Sequence, residues 1–140
     1  MRGETLTTII MQINYEQPTI AFHVGSTTVS SVETILMTLT NEVFTRQAEL
    51  AAYFNLTMGS ASGIAIKYYF TPDAGTTWYL PGIKNTTTGS YVAVSTSLAG
   101  SGMEVIRIPA QNGIKITATA NAIGTLSPVL NSLSVFVRDN

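Results

Sequence analysis

The chain has 140 residues, no cysteine, one histidine, and a formal net charge of -1 from seven Lys and Arg against eight Asp and Glu. This composition excludes disulfide frameworks, zinc fingers, thiol nucleophiles and iron–sulfur ligation, and seven scattered basic residues cannot line a phosphate-tracking groove. With only 11% charged residues but 21 Thr, 13 Ile and 10 Val, the chain is too apolar for disorder and rich in β-branched residues, so one all-β domain over 1–140 is expected.

The first five residues, Met1 to Thr5, include Glu4 and open no long apolar run, so they do not read as a signal peptide. No stretch approaches the ~20 apolar residues of a bilayer span, and a soluble product made in a cytoplasm is the expectation. Thr5 to Tyr15 has β propensity with apolar residues on both sides. Ile9, Met11, Ile13 and Tyr15 alternate along one face, with Ile10 opposite. Next, Ile20, Phe22 and Val24 share a face and turn His23 outward as a surface residue, and Ile35, Met37 and Leu39 share another. From Ala48 to Met58 alternation is strict. Ala48, Leu50, Ala52, Phe54, Leu56 and Met58 face one way, and Glu49, Ala51, Tyr53, Asn55 and Thr57 the other. After Gly59 to Gly63 the pattern resumes with Ile64, Ile66, Tyr68 and Phe70 inward, and the two runs are predicted to pair as an antiparallel hairpin.

The remaining faces are Val92, Val94 and Leu98; Ile106 and Ile108; Ile114, Ile116, Ala118 and Ala120; and Leu133, Val135 and Val137. About ten strands result, spaced as an antiparallel β-sandwich with jelly-roll-like connections requires. The predicted core contains Leu50, Phe54, Ile64, Ile66, Val92, Val94, Ile106, Ile114, Ile116 and Val135.

One local motif is specific. Thr71-Pro72-Asp73-Ala74-Gly75-Thr76-Thr77-Trp78 resembles the Asp-box, Ser/Thr-x-Asp-x-Gly-x-Thr-Trp. Asp73 can accept backbone N–H groups, Gly75 can take positive φ, and Trp78 can fold over the turn, so the three are assigned as a structural turn. A sialidase reading fails because that family repeats the box around a propeller and gathers several arginines, whereas this chain has one copy and scattered Arg2, Arg46, Arg107 and Arg138. Glu42, Glu49 and Glu104 read as solvated outward residues; nothing converges two of them as glycoside hydrolysis demands. No catalytic, cofactor-binding or metal-binding residue is assigned, and no cofactor. Tyr69, Trp78, Tyr79 and Tyr91 are candidate surface aromatics for stacking on a sugar, the alternative reading as a carbohydrate- or receptor-binding module of a phage tail or fibre.

From Glu49 to Asn140 the succession of alternating strand, Gly/Ser turn, Asp-box-like hairpin, Ile108-Pro109-Ala110, Gly113 to Ile116 and Leu133 to Val137 is similar to that of small tailed-phage virion proteins. The resemblance implies a non-enzymatic virion component: a capsid decoration or cement protein, commonly trimeric, bound to a major capsid protein or another virion protein, with no nucleic-acid or membrane partner. A surface low in charge is tolerable when partners bury it. Because the family-like part already holds enough strands to close a sandwich, Ile9, Ile10, Met11, Ile13 and Tyr15 are assigned to a candidate assembly arm within residues 1–15, the other course being a strand of the protein's own core.

Overall fold

A computed structural model describes residues 19–40, 48–84, 87–88, 91–93, 95–108 and 112–139. The candidate arm residues Ile9, Ile10, Met11, Ile13 and Tyr15, together with Val94, lie outside the described residues. Eleven strands run in chain order: β1 (Thr19–Val24), β2 (Thr27–Thr28), β3 (Thr34–Leu39), β4 (Ala48–Thr57), β5 (Gly63–Phe70), β6 (Gly82–Lys84), β7 (Tyr91–Ala93), β8 (Thr96–Leu98), β9 (Gly102–Ile108), β10 (Ile114–Asn121) and β11 (Val129–Asp139).

Nine of these strands make two antiparallel sheets. The first has the order β1-β11-β4-β9, with β2 also on β11, and the second has the order β3-β10-β5-β8. Apart from β2 and the separate β6–β7 ribbon, the pairing is nested. The first strand lies on the last, β3 on β10, β4 on β9 and β5 on β8. That concentric pairing is a jelly roll, two Greek keys folded into two packed sheets. The strand count and sandwich match the sequence expectation.

The alternating runs supply the layer between the sheets. Leu50, Ala52 and Phe54 of β4, Ile64, Ile66, Tyr68 and Phe70 of β5, Ile114, Ile116, Ala118 and Ala120 of β10, and Leu133, Val135 and Val137 of β11 are all buried. Each large aliphatic among them contributes about 1.5–3 kcal/mol through removal from water. Ile106 is half-buried against this cluster. Val92 sits in β7, which pairs with β6 and with neither main sheet.

Three expectations are corrected. β4 and β5 do not form a hairpin. β4 pairs with β11 and β9, and β5 with β10 and β8, so the turn at Gly59 carries the chain from one sheet to the other. Local turn chemistry fixes a reversal but not whether the next strand pairs with the last or crosses the core. Second, Ile35 is 57% exposed while Leu36 and Met37 are both buried. The register against β10 slips between Ile116 and Thr117, so Leu36 is the extra residue of a β-bulge that resets which side chains face inward. Third, Glu104 is not solvated outward; it shares the inward side of β9 with Ile106 and accepts a hydrogen bond from the Tyr68 hydroxyl of the opposite sheet at 2.5 Å. Burial, and then that bond, push the Tyr68 hydroxyl pKa well above its ordinary value.

Candidate assembly surfaces

The Asp-box segment is a closed turn anchored at both ends. Phe70 and Tyr79 exchange backbone hydrogen bonds at 2.9 and 2.8 Å, so residues 71–78 bulge out from a fixed base. Inside, the fully buried Thr71 donates its hydroxyl to Asp73 Oδ1 at 2.7 Å and accepts the Gly75 amide at 3.0 Å. Asp73 Oδ1 also accepts the Thr77 amide at 2.8 Å. The Thr71 hydroxyl, and after it the Thr77 amide, hold the Asp73 carboxyl below the usual carboxylate range. Ala74 and Gly75 take φ values of 58° and 97°, the left-handed region where glycine is least strained. A Cβ on Gly75 would lie 3.6 Å from Trp78 Cζ2, so the indole lies back against the turn. The turn is bolted to the connection before β10. Asn112 Oδ1 accepts the Ala74 amide at 2.8 Å, and Thr71 exchanges backbone bonds with Gly113 and Asn112. The Thr71 hydroxyl and Asp73 Oδ1 are thus both engaged in holding the loop.

The outer face of the second sheet carries a compact polar and aromatic cluster. Lys115 Nζ lies 4.7 Å from the Tyr69 ring centroid and 5.0 Å from that of Trp78, so the ammonium is shared between two π faces. Tyr69 donates its hydroxyl to Glu33 Oε2 at 2.5 Å, and Thr117 donates to the same oxygen at 2.6 Å. These two bonds, with Lys67 and Lys115 nearby, lower the Glu33 pKa; desolvation, then the Glu33 bond and charge, push the Tyr69 hydroxyl up to about 12. Of the four candidate sugar-stacking residues the structure brings Tyr69 and Trp78 together around Lys115. Tyr79 is 59% exposed beyond them, and the backbone of Tyr91 pairs with Lys84 in the β6–β7 ribbon.

The outer face of the first sheet is different in kind. Neighbouring strands align Ala21, Phe136, Ala51 and Val105 in one row and His23, Ser134, Tyr53 and Met103 in the next. Tyr53, Met103, Val105 and Phe136 are between 41% and 53% exposed, and Tyr53 meets Phe136 edge to face at 5.8 Å. His23 is exposed, as expected, and hydrogen-bonds the Ser134 hydroxyl through Nδ1 at 2.9 Å. An adjoining row is charged, with Arg138 and Glu49 paired at 3.4 Å. Sequence reasoning missed this face, although Tyr53, Met103, Val105 and Phe136 all stand at outward positions of alternating strands; the signal was an apolar residue where alternation demands a polar one. Among the described residues no three His, Asp or Glu gather as a metal site.

No protein-family model matches the chain, and no curated protein matches it in sequence. Solved structures do share its fold. The VP2 subviral particle of infectious bursal disease virus superposes with a TM-score of 0.58 at 12% identity, over 100% of this chain and 37% of that one. A structure of the Gx strain of the same virus gives 0.55 at 13% identity, over 99% and 36%. This chain therefore spans little more than a third of those viral chains. A Bacillus endospore appendage, of a family of disulfide-linked pili, matches with a TM-score of 0.47 at 12% identity, over 96% of this chain and 98% of that one.

Proposed function

We propose that the protein is a non-enzymatic structural component of a virus particle, and more specifically a tailed-phage capsid decoration or cement protein that stabilises the particle through protein–protein contacts. The observation that carries this reading is the nested jelly roll whose first sheet turns Tyr53, Met103, Val105 and Phe136 to solvent on one face. Contiguous exposed apolar surface of this kind marks contact sites on soluble proteins. The viral structures of the same fold support the reading as analogy. A homo-oligomer, with a trimer favoured, and a major capsid protein or another virion protein are its partners, and residues 1–15 are the proposed arm, leading into β1 at an edge of the first sheet. The sugar-binding alternative has less to support it, since one face each of Tyr69 and Trp78 is turned to Lys115.

The test is particle stability. Particles assembled without this protein should lose integrity at lower temperature than complete ones, and the purified chain should cosediment with them and restore the loss. A chain lacking residues 1–15 should stay folded but no longer cosediment. Absence of cosedimentation by the full chain, with particles equally stable in its absence, would overturn the proposal.

A further inference from the structure

The outer face of the first sheet is built to match itself. Across the sheet the strands run β1, β11, β4, β9, and an in-plane two-fold axis parallel to the strands, passing between β11 and β4, would lay β11 of one copy over β4 of another and β1 over β9. In the row Ala21, Phe136, Ala51, Val105, that operation sets Phe136 over Ala51 and Val105 over Ala21, a large residue on a small one each time. In the next row it sets Tyr53 over Ser134 and Met103 over His23. In the charged row, Thr19, Arg138, Glu49 and Arg107, it sets Arg138 over Glu49, Glu49 over Arg138 and Arg107 over the Thr19 position, so the 3.4 Å pair within one chain would meet its inverse. A shallow depression lined by Glu49, Ala51, Phe136 and Arg138 lies beside the axis, where Phe136 of the second copy would enter.

The competing in-plane operator, with its axis perpendicular to the strands, lays each strand over its own copy, so Arg138 of β11 never meets Glu49 of β4. Laid along the Phe136 row it also stacks Phe136 on Phe136 and brings the charged row onto Ser134 and Tyr53.

We propose that this face is a two-fold contact with a second copy of the chain, an isologous interface. Face-to-face sheets pack about 10 Å apart and cross at about 30°, so the β11 and β4 residues nearest the axis keep their partners and the outer columns shift. Four strands about 4.8 Å apart and three outward rows about 6.8 Å apart project to roughly 400 Å² per copy. Even with side-chain relief added, that lies near the lower limit of specific interfaces, so association depends on concentration. The contact does not rest on the particle reading and departs from it in two respects: the pair is two-fold where that reading favours a trimer, and the face it covers is then closed to a particle protein.

Sedimentation of the isolated full chain over a concentration series tests it, with circular dichroism confirming that each variant is folded. The wild-type chain should pass from monomer to dimer as concentration rises. Ala51→Glu, which puts a carboxylate where Phe136 of the second copy must enter, should abolish the dimer. Arg138→Glu should weaken association by about tenfold or more, and the double reversal Glu49→Arg with Arg138→Glu should restore it, since opposite charges again meet across the axis. A monomer at every concentration overturns the proposal. So does an oligomer, trimeric or otherwise, that is indifferent to Ala51→Glu and to the single reversal, because copies would then meet elsewhere and the face would serve a different occupant.

Discussion

Tyr69 and Trp78 on one outer face and Tyr53 and Phe136 on the other are similar in kind, yet the two sheets use them differently. On the second sheet, Lys115 lies between the rings and Glu33 takes the Tyr69 hydroxyl, so the aromatics are partnered within the chain. On the first, Tyr53 and Phe136 touch each other and are flanked by Ala51, Val105 and Met103, with no cation or carboxylate in their own rows. Aromatic exposure alone therefore says little about binding. What distinguishes the two faces is how the rings are engaged: by a cation and a carboxylate on the second sheet, and by each other on the first, where Arg138 and Glu49 pair in the adjoining row.

The core beneath both faces sets the upper end of the expected effects. Phe54→Ala removes a ring 3% exposed and should cost about 3–5 kcal/mol in chemical denaturation, as large-to-small core changes do. A loss under about 1 kcal/mol would mean the layer can collapse around the gap and that neither face stands on a rigid base.

A smaller effect belongs to the turn that positions Trp78. Thr71→Val deletes the hydroxyl that serves Asp73 Oδ1 and the Gly75 amide and should cost about 1–3 kcal/mol. Because Trp78 is the sole tryptophan, its emission should shift red as the indole loosens. Asp73→Ala should cost less than Thr71→Val, because Asp73 and Thr77 are exposed and water can replace the lost acceptor. The sign with pH follows from the lowered carboxyl. Stability due to Asp73 is fully present above the ordinary Asp range and is lost as pH falls through the depressed folded value. Asp73→Asn should flatten that acid limb of the melting curve; an unchanged limb would show that the turn does not hold the carboxylate.

Next comes the polar cluster itself. Lys115→Met keeps the stem but removes the charge, and should cost about 0.5–1 kcal/mol. It should also change Trp78 emission; unaltered fluorescence and stability would place Lys115 in solvent and erase the contrast between the faces. Least of all, Met103→Gln on the first sheet should leave the melting curve of the dilute chain within about 0.5 kcal/mol of wild type, as surface changes usually do. A large loss would mean that Met103 already packs within its own chain.

Alternation along the chain made much of this legible. It placed Leu50 to Phe54, Ile64 to Phe70, Ile114 to Ala120 and Leu133 to Val137 on the correct faces, because a period of two survives wherever one side of a strand is buried. It failed at Leu36, where one extra residue reverses the phase, and the bulge leaves no trace in the pattern except the run of adjacent apolar residues Ile35, Leu36 and Met37. It also failed at Gly59, since pairing partners far apart in sequence are chosen by the whole sheet. The Asp73, Gly75 and Trp78 turn was readable because its bonds are local. Glu104 was not, because its partner Tyr68 is brought up by the opposite sheet, and the Tyr53 and Phe136 face required knowing that β4 and β11 are neighbours.

The nested pairing also bears on how the protein comes into being on a ribosome. β11 is the most C-terminal described strand, yet it lies inside the first sheet, between β1 and β4, with Thr19 opposite Arg138 at one end of its ladder. A nascent chain halted before Val129 would hold β1 and β4 with nothing between them, two open strand edges and an uncovered apolar layer. Contacts this distant in sequence make folding slow and leave aggregation-prone intermediates. Protection from protease should therefore appear late and abruptly, once residues 129–139 have cleared the exit tunnel, and chains arrested earlier should be digested or captured by chaperones; stepwise protection of shorter chains would show that the second sheet forms first and waits.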